Sequence, residues 1–138
     1  PRRHAAQRHD QRARRQRREH RAGTAHPAVV TGDLNIGHTE LDIRNWKGNV
    51  KRAGFLPEER AMVQKFLDHG FVDAYRHLYP DRVQYTWWTY RLTARERGVG
   101  WRLDYFLVSK ALLPLVRDVI IHEEVLGSDH CPVELLLG

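Results

Sequence analysis

The segment WRLDYFLV, residues 101–108, limits the choice of fold more than any other stretch of the chain. Trp101, Leu103, Tyr105 and Leu107 alternate with Arg102, Asp104, Phe106 and Val108, so at strand periodicity both faces are largely apolar. Such a strand has to be covered on each side, which makes it a central strand of a layered fold. Asp104 then stands out. A carboxylate inside this strand is costly unless it is paired or hydrogen-bonded, and an imidazole is a suitable partner.

The surrounding segments supply the layers. Residues 28–31 are a short apolar, β-branched run stopped by Gly32, which reads as a buried strand. Residues 36–54 have no sustained period and read as a long loop, a feature that is often functional in a compact domain. Pro57 at a first turn, Glu58 and Glu59 at its positive end, Met62 with Phe66, Val63 with Leu67, and Gly70 at the exit predict a helix over 57–69. Residues 71–74 read as a weak strand and 84–90, QYTWWTY, as a strong one. Residues 115–125 and 132–137 give two more, with GSDH as the corner between them. The class is α/β with a largely antiparallel C-terminal sheet.

Charge divides the chain in two. Residues 1–27 hold nine Arg against two acids and carry +7, whereas the remainder, with fourteen Lys or Arg against fifteen acids, carries −1. Ala is the only apolar residue type in the first part, so this leader cannot offset its ordering entropy by burial and is expected to be disordered. Two accounts of it stay open: a tail that binds phosphate backbones without reading sequence, or an extension without function, including a mistranslated stretch of GC-rich coding sequence. Residues 28–138 form the expected folded domain. With Cys131 as the one cysteine no intrachain disulfide forms, which suits a reducing compartment, and no run reaches the roughly 18 apolar residues of a membrane helix. A soluble protein without a membrane partner is expected.

Five polar residues are candidates to converge. GDLN follows the first strand and places Asp33 and Asn35 two residues apart, on the same side if strand geometry persists. Asp104 is the buried acid, and Asp129 with His130 sits at a glycine turn before the strand-forming run CPVELLL. Taken singly, GDLN is more often a turn and a lone strand Asp more often a structural ion pair. Together they suit phosphodiester hydrolysis assisted by a divalent cation. A carboxylate orients and deprotonates water, an amide or imidazole stabilises charge on phosphate oxygens, and hard oxygen ligands suit Mg²⁺. A buried Asp would fix the tautomer of the imidazole. An imidazole lying more than on the order of ten ångströms from Asp33 would dissolve the assignment.

GDLNIGHTELDIRNWKGNVKRAGFLPEER, YRHLYP, YTWWTY, GVGWRLDYFLVS and GSDHCPVELLL, in this order, closely resemble the C-terminal half of the exonuclease III family of apurinic/apyrimidinic endonucleases, nearest its vertebrate-type branch. The resemblance covers residues 28–137. It implies the C-terminal half of a DNase I-like four-layer α/β sandwich, with one largely antiparallel sheet and a flanking helix. It also implies Mg²⁺-dependent cleavage 5′ to an abasic site in double-stranded DNA during repair, with Mn²⁺ as a substitute metal and 3′-to-5′ exonuclease and 3′-phosphodiesterase activities alongside. By the same resemblance Asp33 deprotonates the attacking water, Asn35 bonds the scissile phosphate, Asp104 holds His130, and His130 stabilises the transition state. Asp129 belongs to the metal region with Asp33, Asn35 and His130. Trp87, Trp101 and Leu103 line a pocket for the extrahelical sugar, whose flipping costs less because its base is absent. Asn45, Lys47 and Asn49 take backbone-contact positions and Arg91 a minor-groove position. For Trp87 and Trp101 core packing is an equal alternative.

The departures carry their own expectations. The family's N-terminal half supplies a metal-binding Glu, and nothing before Ala28 matches it, so the chain is expected to be a catalytically crippled part with an exposed apolar face. When completed it is expected to be a monomer, in bacterial cytoplasm at the nucleoid or in a eukaryotic nucleus. Two other readings remain: a sister DNase I-like or lipid phosphodiesterase, which shares GDxN and SDH, and a non-enzymatic DNA-binding remnant.

Overall fold

The computed structural model describes residues 26–138. The expected disordered leader lies outside them through residue 25. Among the described residues the chain runs β1 (Val29–Asp33), α1 (Pro57–Asp68), β2 (Phe71–Asp73), α2 (Ala74–Leu78), β3 (Asp104–Ser109), β4 (Val116–Ile121) and β5 (Val133–Leu137). Every ladder is antiparallel, as expected. The strands fall into two sets, β1-β3-β2 and β4-β5, where the sequence suggested one continuous sheet. No helix among them is long and apolar enough to cross a membrane.

The central-strand expectation for 101–108 holds from Asp104 onward. β3 pairs with β1 on one side and β2 on the other, and Tyr105, Leu107, Val108 and Ser109 are buried. Val108 joins a core with Tyr75, Tyr85, Trp88, Val119, Ile121 and Cys131, into which β4 and β5 also turn Val116, Val133 and Leu135. α1 starts at Pro57, as its sequence requires, and Glu59 reaches back to the main-chain N–H groups of Gly54 (2.8 Å) and Leu56 (3.2 Å), closing the helix start onto the loop before it.

Two strand expectations are corrected. β1 is not buried: Val29 is 38 % exposed and Thr31, Gly32 and Asp33 are exposed as well, because β1 is an edge strand that pairs only with β3. Val29, Thr31 and Asp33 face the same way as Val108, Phe106 and Asp104 through the register Val29↔Val108 to Asp33↔Asp104. Both faces of β3 are nevertheless covered, at Val108 on this side and Leu107 on the other, so what is open to solvent beside the two acids is the edge strand β1 alone. Exposed apolar side chains recur on β5 at Leu136 and Leu137.

Residues 84–90 form no strand. Their hydrogen bonds change partner almost at every residue: Thr86 and Trp87 donate to Trp101 O, Trp88 donates to Asp129 O, and Thr86 O accepts from Cys131. Aromatic and Thr-rich composition reports fit to a half-buried surface, which a junction offers as well as a ladder does.

A buried ion cluster ties these pieces together. Arg102, 1 % exposed, donates Nε to Asp42 (2.7 Å) and both Nη atoms to Asp73 (3.1 and 2.5 Å), between the rings of Tyr75 and Tyr105. Asp42 also accepts from Arg76 (2.7 Å) and from Thr39 N–H (2.9 Å), and Asp73 caps α2 through Arg76 N–H. Burial is the largest influence on the Asp42 carboxyl and works upward, but the charge and hydrogen bond of Arg102, with Arg76, outweigh it and bring it down to about 2 from 3.8.

Arg102→Met leaves two buried carboxylates without this cation and is expected to lower the unfolding free energy by about 3–5 kcal/mol, read from urea denaturation. Because the Asp42 carboxyl is depressed on folding, its contribution is complete above pH 3.8 and is lost as the pH falls through about 2. Urea titrations across that window should show a loss on the order of 2 kcal/mol that Asp42→Asn does not show.

Candidate active site

β1 and β3 end together, and the register sets Asp33 directly opposite Asp104. The chain leaves β1 in a tight turn: Leu34 N–H still bonds Leu103 O, but Asn35 is left-handed (φ 54°) and its N–H donates to Asp33 Oδ1 at 2.8 Å. Strand geometry therefore stops at Asp33. Asn35 lies beside Asp33 through an Asp-closed turn, a conformation Asn tolerates, and strand alternation is not what puts it there.

His130 arrives from the other sheet's connection. Its Nδ1 lies 2.8 Å from Asp104 Oδ2, its Nε2 lies 3.7 Å from Asp33 Oδ2, and its main-chain N–H donates to Ser128 Oγ at 3.1 Å. The separation from Asp33 is thus well within the ten-ångström limit. With Nδ1–H donated to Asp104, Nε2 faces the opening beside Asp33. Burial of the ring works to lower the His130 pKa, but the Asp104 hydrogen bond and charge, with Asp33 and Asp129 adding to them, raise it above 6.5.

Thr86 is the residue that brings the two parts into register. It is fully buried, and its Oγ1 accepts from the main-chain N–H of Leu103 (2.9 Å) and Asp104 (3.2 Å) while its carbonyl holds Cys131 N–H (2.9 Å). One side chain and one carbonyl thereby fix the residue before and the residue after the Asp104–His130 contact. Cys131 is buried, and burial pushes its thiol up to about 11, so it is a small packing residue.

Asp33, Asp104 and His130 place ligand atoms within 4.8 Å of one another, the last two half-buried and the first exposed. Asp104 and Nδ1 of His130 are committed to each other, so the set suits a hard cation that keeps several waters rather than a closed protein cage. Asp129, expected in the metal region, is not in this group. Its Oδ2 accepts from the Trp87 indole N–H at 3.1 Å and its Oδ1 from Ser128 Oγ at 3.4 Å. The Trp87 hydrogen bond is the main reason its carboxyl is held below 3.8.

The remaining expected residues divide by burial. Trp87 and Trp101 are half-buried and meet edge to face at 6.1 Å, and Trp87 bridges both Trp101 and His130. Trp101 is seated over Gly54 (φ 94°), where a Cβ would lie 2.8 Å from the indole. Leu103 is 5 % exposed and packs inward. Asn45, Lys47 and Asn49 lie on the loop containing the 3₁₀ turn Trp46–Asn49, beside an open cleft of about 460 Å³ lined by Ile43, Arg44, Trp46 and Tyr85. Asn49 uses its amide internally, donating to Asn45 O at 2.8 Å. Arg91 is exposed at the start of the 3₁₀ turn Arg91–Thr93.

Sequence reading missed Thr86 and Arg102, both buried polar groups that hold Asp104 in place. Arg102 was visible: a cation in a strand apolar on both faces is as anomalous as the acid two residues later.

Removing the Asp104 charge removes the main upward influence on His130. In metal-free buffer, NMR titration should give a His130 pKa above 6.5 in the parent chain and a lower one in Asp104→Asn; an unchanged value would mean that the pairing does not exist in solution.

Comparison with known proteins bears on this geometry. A sequence profile described as the Endonuclease/Exonuclease/phosphatase family matches residues 1–130. The chain is 50 % identical over 113 residues to the Exodeoxyribonuclease of Bacillus subtilis (strain 168), covering 81 % of this chain and 45 % of that one. It is 54 % identical over 113 residues to the DNA repair nuclease APEX1 of Danio rerio, covering 81 % and 36 %. Among solved structures it resembles the AP endonuclease LMAP from Leishmania major, with TM-score 0.75 and 37 % identity over 79 % of this chain and 34 % of the other. The chain spans less than half the length of these relatives.

Proposed function

The chain belongs to the endonuclease/exonuclease/phosphatase family, and from that premise we propose that it carries the nucleophile-activating side of a DNA repair nuclease that hydrolyses the phosphodiester 5′ to an abasic site. The observation that supports this reading is the line Asp104–His130–Asp33. A carboxylate fixes one imidazole nitrogen at 2.8 Å, and the other nitrogen faces an exposed second carboxylate across 3.7 Å. A phosphate oxygen fits the position beside Nε2, and a water beside Asp33 stands where that carboxylate can take its proton.

The residues have separable roles. His130, with its pKa raised, presents an imidazolium N–H to the charge that develops on phosphate oxygens. Asp104 keeps that ring in one orientation. Asp33, solvent-accessible at the end of β1, orients the water and with the free oxygen of Asp104 would hold Mg²⁺. A divalent cation held there would supply charge neutralisation for the phosphate and the attacking oxygen. Half-buried Trp87 and Trp101 offer an aromatic wall that suits an unstacked sugar better than a paired nucleotide.

Alone, the chain is a poor catalyst in this reading. The edge strand β1 is largely exposed up to Asp33, and more than half of each aligned relative lies outside the matched region. A chimera tests both parts. Residues 28–138 replacing the matching region of the Bacillus subtilis exodeoxyribonuclease are expected to support Mg²⁺-dependent incision of a duplex with one tetrahydrofuran abasic site. His130→Asn in that chimera should reduce kcat by roughly 10²–10⁴-fold. Equal cutting of intact duplex, or a preference for phospholipid, would move the chain to a sister phosphodiesterase branch. Full turnover by the isolated chain would overturn the dependence on the rest of the fold.

A further inference from the structure

The loop that delivers Asp129 and His130 has little burial of its own. Val125 is 42 % and Leu126 76 % exposed, and the loop turns at Gly127 (φ 115°). Its internal main-chain support is the bond from Val125 N–H to His122 O at 3.1 Å. From elsewhere, Tyr85 N–H donates to Glu123 Oε1 at 3.1 Å, and a cation takes the loop's carbonyls. The guanidinium of Arg95 donates Nη2 to Glu123 O (2.7 Å) and Val125 O (2.8 Å), and Nη1 to Ser128 O (3.2 Å). The same group lies 4.4 Å from the centre of the Trp88 ring. Three carbonyls spaced over six residues can be met together by a rigid fork of donors, and a lysine could not meet them in that geometry.

The other end of this staple is itself fixed. Ala94, next to Arg95, is 2 % exposed, and its carbonyl accepts Val99 N–H at 2.8 Å. The preceding Leu92 and Thr93 are both left-handed, at φ 56° and 51°, a costly conformation for a β-branched residue that persists only where its surroundings enforce it. Arg97 enforces it by donating Nε to Leu92 O at 2.8 Å.

We propose that Arg95 is a positioning residue for the proposed phosphodiester hydrolysis: its fork and stacking fasten the 123–128 loop to the 88–97 segment and so aim the Asp129–His130 corner. Arg95 touches neither Asp33, Asp104 nor His130. It acts through the loop and through Trp88, whose N–H bonds Asp129 O at 3.0 Å, next to the Trp87 indole that bonds Asp129 Oδ2. The inference rests on the proposed function for its meaning, and its test needs no turnover, so failure of one leaves the other standing.

Hydrogen exchange by NMR on the full chain, compared among the parent, Arg95→Lys and Arg95→Met, tests it. In Arg95→Met the Trp88 amide and the Trp87 indole N–H are expected to exchange at least about tenfold faster, while β3 amides change by less than about twofold; Arg95→Lys should fall between. Acceleration by one common factor at all sites would mean that Arg95 serves global stability alone and overturns the proposal, as would unchanged exchange at Trp87 and Trp88. Should Arg95→Met not fold, Arg95→Lys separates the two cases in the same way, by selective acceleration for the positioning role and uniform acceleration against it.

Discussion

Arg102 is the constraint from which the rest of the architecture follows. It stands two residues before Asp104, where β3 begins, and three hydrogen bonds from its guanidinium reach an acid in the long loop and another at the start of α2. Its own N–H bonds the Asp42 carbonyl at 2.7 Å, so the loop is held by main chain and side chain at once. A cation this deep is tolerated because two acids accept its hydrogen bonds and two tyrosine rings flank it. The loop, the helix start and the central strand can therefore meet in only one relative arrangement. That arrangement puts Asp104 at the sheet's end.

From there the polar contacts pass outward in a chain. Thr86 holds the main chain of Leu103 and Asp104, and its carbonyl holds the residue after His130. Trp87 spans Trp101 and His130, and its indole takes Asp129. The two sheets are thus coupled at one irregular segment, and the acid–imidazole pair sits on that coupling. A site built where two ladders change partners is positioned by side chains that are mostly buried, while Asp33 at the edge remains open to solvent. The division suits a site that must keep a rigid imidazole and a wet carboxylate in the same few ångströms.

Much of this was legible from residue types. An acid in a strand apolar on both faces required a partner, and a polar corner before an apolar strand offered one; the 2.8 Å contact between Asp104 and His130 joins those two deductions. The helix after Pro57 was equally readable, since proline, two glutamates and a glycine exit act locally. The irregular pairing of the QYTWWTY segment is not legible in its residues, because strand propensity does not say what a segment pairs with. The exposure of the edge strand β1 is not legible either, because apolar composition cannot tell an edge from an interior.

By itself the sequence determined the local elements, the central strand and the need for charge compensation, because these depend on periodicity, capping and the cost of an unpaired buried charge. The family resemblance added which residues to watch. Only the tertiary structure decided that Asp129 turns to an indole while Asp104 takes the imidazole, that Asn35 sits in a left-handed turn closed by Asp33, and that Arg95 holds a loop some thirty residues away. Such choices among equally suitable partners are settled by distance and direction, which arise when segments remote along the chain are packed together.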